Sequence, residues 1–401
     1  MVAFALVLAI FCYWSVIGFA LVSRLRSRVN LLQNALLAPV TGLVATVLLV
    51  FWINLAGIPV RYGGPAVTLG LAAVAAWLFK RSSAIVPARR LLPFVAVLLL
   101  AALVTGYPIL RFGFDWVSYG NDDMANYCLA AKLFLNHGHF EIPDPNTVLE
   151  NRDFGPLWWY YVVVGANRHG TDELLAWVAS VTGLSPVQAY MSLMLSLHLV
   201  LISAAGSLIL ERRERRFAAL LTCLALAFSA LTTLGTLYQL IAQVAGLGAL
   251  AGTCAVVLRR QGLRKSERLL AGLLTAGMLV LYPEIFPFLG ASYVVYHSVL
   301  LFRKKEPFRR VFANVWQIAA FTSVFLNVIV INAAVTLLMQ TDPLRGGKSA
   351  LDSLFPYYLT PAGFAYLWGF HGIGQAEVGL VLDLGIVLGA VLFSIAAIFR
   401  G

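Results

Sequence analysis

The chain reads as an all-α, polytopic transmembrane helical bundle of about eleven spans, with interfacial amphipathic helices in a long first outer loop. Three observations point there. Of its 401 residues 60% are hydrophobic and only 12% charged, where a soluble domain carries about 25% charged residues. The mean hydropathy is +0.84. Apolar stretches of membrane-crossing length recur along most of the sequence. Together these exclude a soluble enzyme, a disordered chain and a disulfide scaffold. The formal charge of +11 therefore belongs to membrane topology and not to a nucleic-acid partner.

Stretches of roughly 17–25 apolar residues cross a hydrocarbon core about 30 Å thick. They fall near 1–23, 34–57, 65–80, 91–110, 187–210, 217–236, 238–258, 269–282, 285–302, 311–339 and 378–399. The first lacks a basic segment before it and is followed by Arg24, Arg26 and Arg28, so it reads as a span and not a signal peptide. The stretch 269–282 is short and bounded by Pro283 and Pro287, which predicts a broken or re-entrant end. The whole chain reads as one integral membrane domain: four spans in 1–110, an outer loop at 111–186, six spans in 187–340, a second outer loop at 341–377 and a last span at 378–399.

Basic residues set the orientation. Segments 24–28, 80–90, 211–216, 259–268 and 303–310, with Arg400, hold 22 of the 29 Lys and Arg and fall on alternate connections. The positive-inside rule puts them in the cytoplasm of an inner or plasma membrane, with the N-terminus outside and the C-terminus inside. The two long outer loops carry twelve of the 18 Asp and Glu. Loops beyond about 15 residues in a compact protein are usually functional, so the chemistry is expected outside.

In the first outer loop, Gly120-Asn121 makes a turn, and Asp122 or Asp123 is placed to cap a helix beginning there. Met124, Tyr127, Cys128, Ala131 and Leu135 then recur at helical spacing, predicting a surface amphipathic helix that Gly138 ends. A second such helix is expected at 172–182, again opened by acidic residues. The acidic pair, the aromatic Tyr127, the amphipathic helix closed by Gly and the Pro-containing stretch after it resemble the first extracytoplasmic loop of the C-type glycosyltransferase (GT-C) superfamily. That resemblance covers roughly residues 105–260 in arrangement. It implies a polytopic enzyme that takes a sugar from a polyprenyl-phosphate donor. One departure is that three spans precede the one leading into the loop, whereas family members commonly place the loop after their first.

The chemistry calls for such groups independently. Transfer to a hydroxyl needs a base as the bond to the anomeric carbon forms, and a carboxylate serves. Asp122 is the expected base, with Asp123 orienting it or joining a magnesium or manganese site; the roles are interchangeable at this stage, and capping alone is the competing account. A phosphate leaving group needs cations more than an acid. Arg111, Lys132, Arg345 and Lys348 qualify, with snorkelling toward lipid headgroups as the alternative. Glu284, at a hairpin tip, is expected to face the cavity of Asp122 and bind acceptor or metal, or else to sit in a solvated turn.

Other features have plainer readings. The aromatic run Trp158–Tyr161 reads as an interfacial anchor. His137, His139 and His169 read as a polar loop, since His-x-His without a spaced third ligand is a weak metal pattern. His198, His297 and Asp383 are expected to be buried and hydrogen-bonded. Two rival functions remain. A polysaccharide polymerase or ligase would rely on Arg345, Lys348 and His371 in the late loop. A transporter or lipid-linked glycan flippase would use charges at mid-membrane and show paired halves, of which the sequence has no sign. The expected partners are the lipid-phosphate sugar, a glycan or lipid-linked acceptor and membrane lipids, and no nucleic acid.

Overall fold

The computed structural model describes residues 1–26, 30–81, 86–119, 122–141, 168–210, 215–259, 262–305, 307–327, 329–330 and 389. One compact unit, Met1–Ala333, contains all of these but Gly389, which belongs to a second unit, Ala334–Gly401. Every regular element among the described residues is helical.

The bundle is organised around α2 (Leu31–Leu55), whose N-cap Asn30 side chain accepts from Leu32 N at 3.1 Å. Antiparallel to it runs α1 (Val2–Leu25). The two backbones touch: a Cβ on Gly18 would lie 1.7 Å from the Ala38 carbonyl oxygen, and one on Gly42 1.9 Å from that of Trp14. Small residues at a crossing replace the hydrophobic drive that lipid removes between membrane helices. On the other side packs α7 (Pro186–Ile209), started by a Ser185/Gln188 capping box. Its serines reach neighbouring backbones, Ser203 donating to Leu36 O at 2.8 Å and Ser196 to Val7 O at 3.1 Å.

Around this trio lie α3 (Val60–Lys80), α4 (Ala88–Phe112), α10 (Ile241–Val257), α11 (Lys265–Leu281), α12 (Phe286–Phe302) and α13 (Phe308–Leu326). The expected span 217–236 is two helices, α8 (Arg216–Ala227) and α9 (Ala230–Leu237), bent by 49°. Ser229 is the cause: its side chain accepts from Thr232 N at 3.4 Å and caps a new helix where the old one stops. As anticipated, α11 ends before Pro283, and a short 3-10 turn, Pro283–Ile285, leads into α12.

Among the described residues six helices are long and apolar enough to cross a membrane, or seven counting the bent pair as one span. That is fewer than the eleven expected; α10 is apolar but shorter, and 378–399 lies outside the described residues apart from Gly389. The ends of the bundle differ in charge. At one end Arg26 meets Glu267 at 3.7 Å, Arg259 pairs with the same carboxylate, and Arg216 donates to the carbonyls of Arg89 and Arg90. At the other end the C-terminal parts of α2 and α11 meet the start of α6 (His169–Thr182), which packs against α5 (Asp122–Asn136).

The tight α1–α2 crossing can be tested by substitution. Gly18→Val or Gly42→Val overpacks it and costs at least ~1–3 kcal/mol, read as a lowered unfolding midpoint in detergent. Gly70→Ala, where an added Cβ has nothing within 4 Å, leaves the midpoint unchanged.

Candidate functional site

The amphipathic character of α5 is as its spacing predicts. Met124, Tyr127, Cys128, Ala131 and Phe134 are buried, while Lys132 stands on the exposed face. Asp123 is half-buried; Asp122 opens the helix, and its side chain is not among the described ones. Buried Cys128 has its thiol pushed up to about 12 by desolvation and by nearby Asp172.

The second helix of the loop departs from expectation. It forms, as α6, but it does not lie on the surface: His169 through Ala179 are all buried, packed among α2, α3, α5 and α7. After its first turn the sequence LLAWVA is apolar all round, and a helix of that kind belongs inside. At 14 residues it is too short to cross a membrane. Gly170 permits the insertion, since a Cβ there would come within 2.7 Å of the Val280 carbonyl oxygen. Burying α6 carries its polar first turn into the protein.

Arg168, just before α6, is the hub. Its Nε donates to Glu284 Oε1 at 2.7 Å, and its guanidinium lies 4.9 Å from the Tyr282 ring centroid. It also reaches the Tyr127 hydroxyl on α5. Desolvation works against its charge, but Glu284 and Tyr127 more than offset this and hold Arg168 above its ordinary range. The Tyr127 phenol is raised by burial first, with the Asp172 and Asp123 carboxylates adding to it. Asp172 is completely buried and raised well above the carboxylate range by desolvation, which nearby Arg168 only partly relieves. It sits at the positive end of α6, where the dipole favours negative charge, yet burial dominates.

Beneath lies a second layer. His139 and His169 rings meet edge to face with centroids 5.4 Å apart, and Phe51 stacks on His169 at 5.1 Å. The 137–139 turn is pinned by Asn54, whose side chain donates to His137 O at 2.9 Å and whose carbonyl accepts from His139 N at 3.0 Å. His139 Nδ1 stands 3.9 Å from Glu173 Oε1. That separation is too long for a hydrogen bond. Burial and then the neighbouring His169 lower His139 to about 3, while burial and then Asp172 raise Glu173 well above its ordinary range. His139 is therefore uncharged at neutral pH, so the contact is not an ion pair. Neither Glu173 oxygen finds a hydrogen-bond partner among the described residues, a rare condition for a buried polar group.

The structure thus brings Asp123, Tyr127 and Glu284 to one place, and adds Arg168, Asp172, Glu173, His139 and His169, which sequence reasoning left as a polar loop, a helix start and an unassigned cation. The run Arg168-His169-Gly-Thr-Asp172-Glu173 directly before an apolar stretch was the available clue. Arg111 stays apart, exposed with its guanidinium 5.3 Å from the Phe112 ring, as does Lys132. Arg345, Lys348, His371, Asp383 and Trp158–Tyr161 lie outside the described residues. His198 is buried between Thr105 (3.4 Å) and Thr236 (2.9 Å), as expected. Among the described residues no three His, Cys, Asp or Glu are grouped to hold a metal ion. No protein family, curated protein or solved structure matches the chain.

Because Glu173 is raised in the folded state, it contributes stability that is complete below its ordinary value of 4.5 and is lost as pH rises through its folded value. Glu173→Gln cannot ionise, so the wild type should lose stability relative to it with rising pH, by up to about 1.4 kcal/mol per pH unit between its ordinary and folded values and no further above them. Denaturation against pH measures this. Infrared spectroscopy at mildly acidic pH should show a protonated-carboxyl stretch that the variant lacks; identical pH profiles would refute a raised Glu173 carboxyl.

Proposed function

We propose that the chain is an inverting glycosyltransferase of an inner or plasma membrane, moving a sugar from a polyprenyl-phosphate donor to an acceptor hydroxyl on the extracytoplasmic side. One observation carries the reading. Side chains from three separate segments (Tyr127 of α5, Asp172 of α6, Glu284 before α12) gather around Arg168 at one end of an apolar bundle, with Asp123 one helical turn before Tyr127. The likeness of this loop to the GT-C pattern supports the reaction class.

In this reading the acceptor oxygen attacks the anomeric carbon as the bond from that carbon to the donor's phosphate oxygen breaks. The hydroxyl proton passes to the carboxylate of Asp122 or Asp123, and the phosphate leaves with the electron pair, its charge met by Arg168. An arginine fork matches phosphate oxygens, and a phosphate arriving here competes with Glu284 for it. Asp172, its carboxyl raised by burial, suits hydrogen-bond donation rather than base duty. Arg168 supplies a fixed cation here, and Asp122 and Asp123 are the carboxylates that would hold a magnesium or manganese ion. A lipid-linked glycan, a lipopolysaccharide component or another envelope polymer is the acceptor class. The basic end faces the cytoplasm.

Sugar transfer in detergent from a labelled polyprenyl-phosphate sugar tests this. Asn at whichever of Asp122 and Asp123 is the base lowers the rate by roughly 10²–10⁴, and Arg168→Gln lowers it while the fold persists. Full activity in both Asp→Asn variants sinks the base assignment. For orientation, Lys132→Cys should react with an impermeant maleimide on intact cells and Lys304→Cys only after permeabilisation; the reverse pattern overturns it.

A further inference from the structure

Two cavities lie along the same helices at the basic end, far from the acidic cluster. The first, about 230 Å³, is lined by Asn30, Leu32, Arg90, Leu210 and Arg216. Its described lining holds no carboxylate. Arg216 is fixed by donating to the Arg89 and Arg90 carbonyls at 3.3 and 3.0 Å. Helices α2, α4 and α8 all begin here, so three positive helix ends add to two guanidiniums.

The second cavity, about 680 Å³, has apolar walls and falls within the roughly 300–1,000 Å³ of ordinary ligand pockets. At its outer end Val86 and Leu91 line it beside Arg90, and from there it runs inward. On α2, Leu36 follows Leu32 by four residues on one face; on α4, Phe94 follows Arg90 likewise; on α7, Ser203 lies two turns inward of Leu210. On α1 it runs from Leu8 to Phe19, about 16 Å of helix rise. A cationic pocket above an apolar one, on three shared helices, is the outline of an amphiphile with one anionic head.

We infer that the two cavities form a single site for an anionic phospholipid, its phosphate between Arg90 and Arg216 and an acyl chain in the apolar cavity. Phosphate suits two arginine forks, and the chain-shaped space separates a lipid from a free anion. The site is independent of the proposed transferase chemistry, since it uses the opposite end of the bundle.

The test uses the full chain, purified and delipidated in detergent, with binding read by native mass spectrometry and stabilisation by the unfolding midpoint. Long-chain phosphatidylglycerol is expected to bind at least tenfold more tightly than phosphatidylcholine and to raise the midpoint. A dihexanoyl phosphatidylglycerol should bind at least fivefold more weakly than the long-chain form. Arg90→Gln should abolish most of the preference for the anionic lipid, and Ala35→Phe, filling the apolar cavity, should weaken long-chain binding. Equal binding of the two headgroups, or an unchanged preference in a folded Arg90→Gln protein, overturns the inference. So does inorganic phosphate alone reproducing the midpoint shift and displacing the lipid, which would assign the pocket to a free anion. The headgroup and chain-length comparisons need only the wild type, so they decide the matter even where a variant fails to fold.

Discussion

The acidic end of this protein depends on the burial of the first turn of α6. The helix is apolar on every side from Leu174 to Ala179, so it is driven among α2, α3, α5 and α7 and cannot stop short of burying the polar residues that open it. Arg168, His169, Asp172 and Glu173 enter the protein because the residues behind them must. The close approach of Gly170 to the Val280 carbonyl sets how deep the helix goes, and with it which side chains Arg168 can reach.

Burying charge is costly unless it is paired or neutralised, and this cluster uses both routes. Arg168 keeps its charge by pairing with Glu284 and reaching Tyr127, in a position still partly open to solvent. Glu173 and His139, deeper and almost fully enclosed, are both driven by burial toward their uncharged forms. Charge is therefore retained at the rim and shed in the layer below. A site arranged this way presents one cation to an incoming anionic group against a low-dielectric floor, where its attraction is stronger than in water.

The two ends of the bundle answer to different physics. Among the described residues the basic end carries arginines in excess of local carboxylates: Arg26 and Arg259 share Glu267, and Arg90 and Arg216 border a cavity with no acid in its described lining. That imbalance is easily borne beside anionic headgroups. The acidic end has the reverse imbalance around one arginine. A net charge of +11 thus conceals two opposed surfaces, separated by helices whose contacts are glycine crossings and serine-to-backbone hydrogen bonds.

Composition and periodicity alone determined that the chain is helical and membrane-embedded, where the basic segments lie, and which face of α5 turns inward, because these depend on local runs and a 3.6-residue repeat. The break before Pro283 was equally legible, being a matter of one residue's chemistry. The bend at Ser229 was not, since hydropathy does not register a capping side chain inside an apolar stretch. The meeting of Arg168 with Glu284, 116 positions apart, belongs to the tertiary structure alone. So does the burial of α6: an acidic start followed by apolar residues fits a surface helix and an internal one equally well, and only the packing of neighbouring helices over its outer side decides between them.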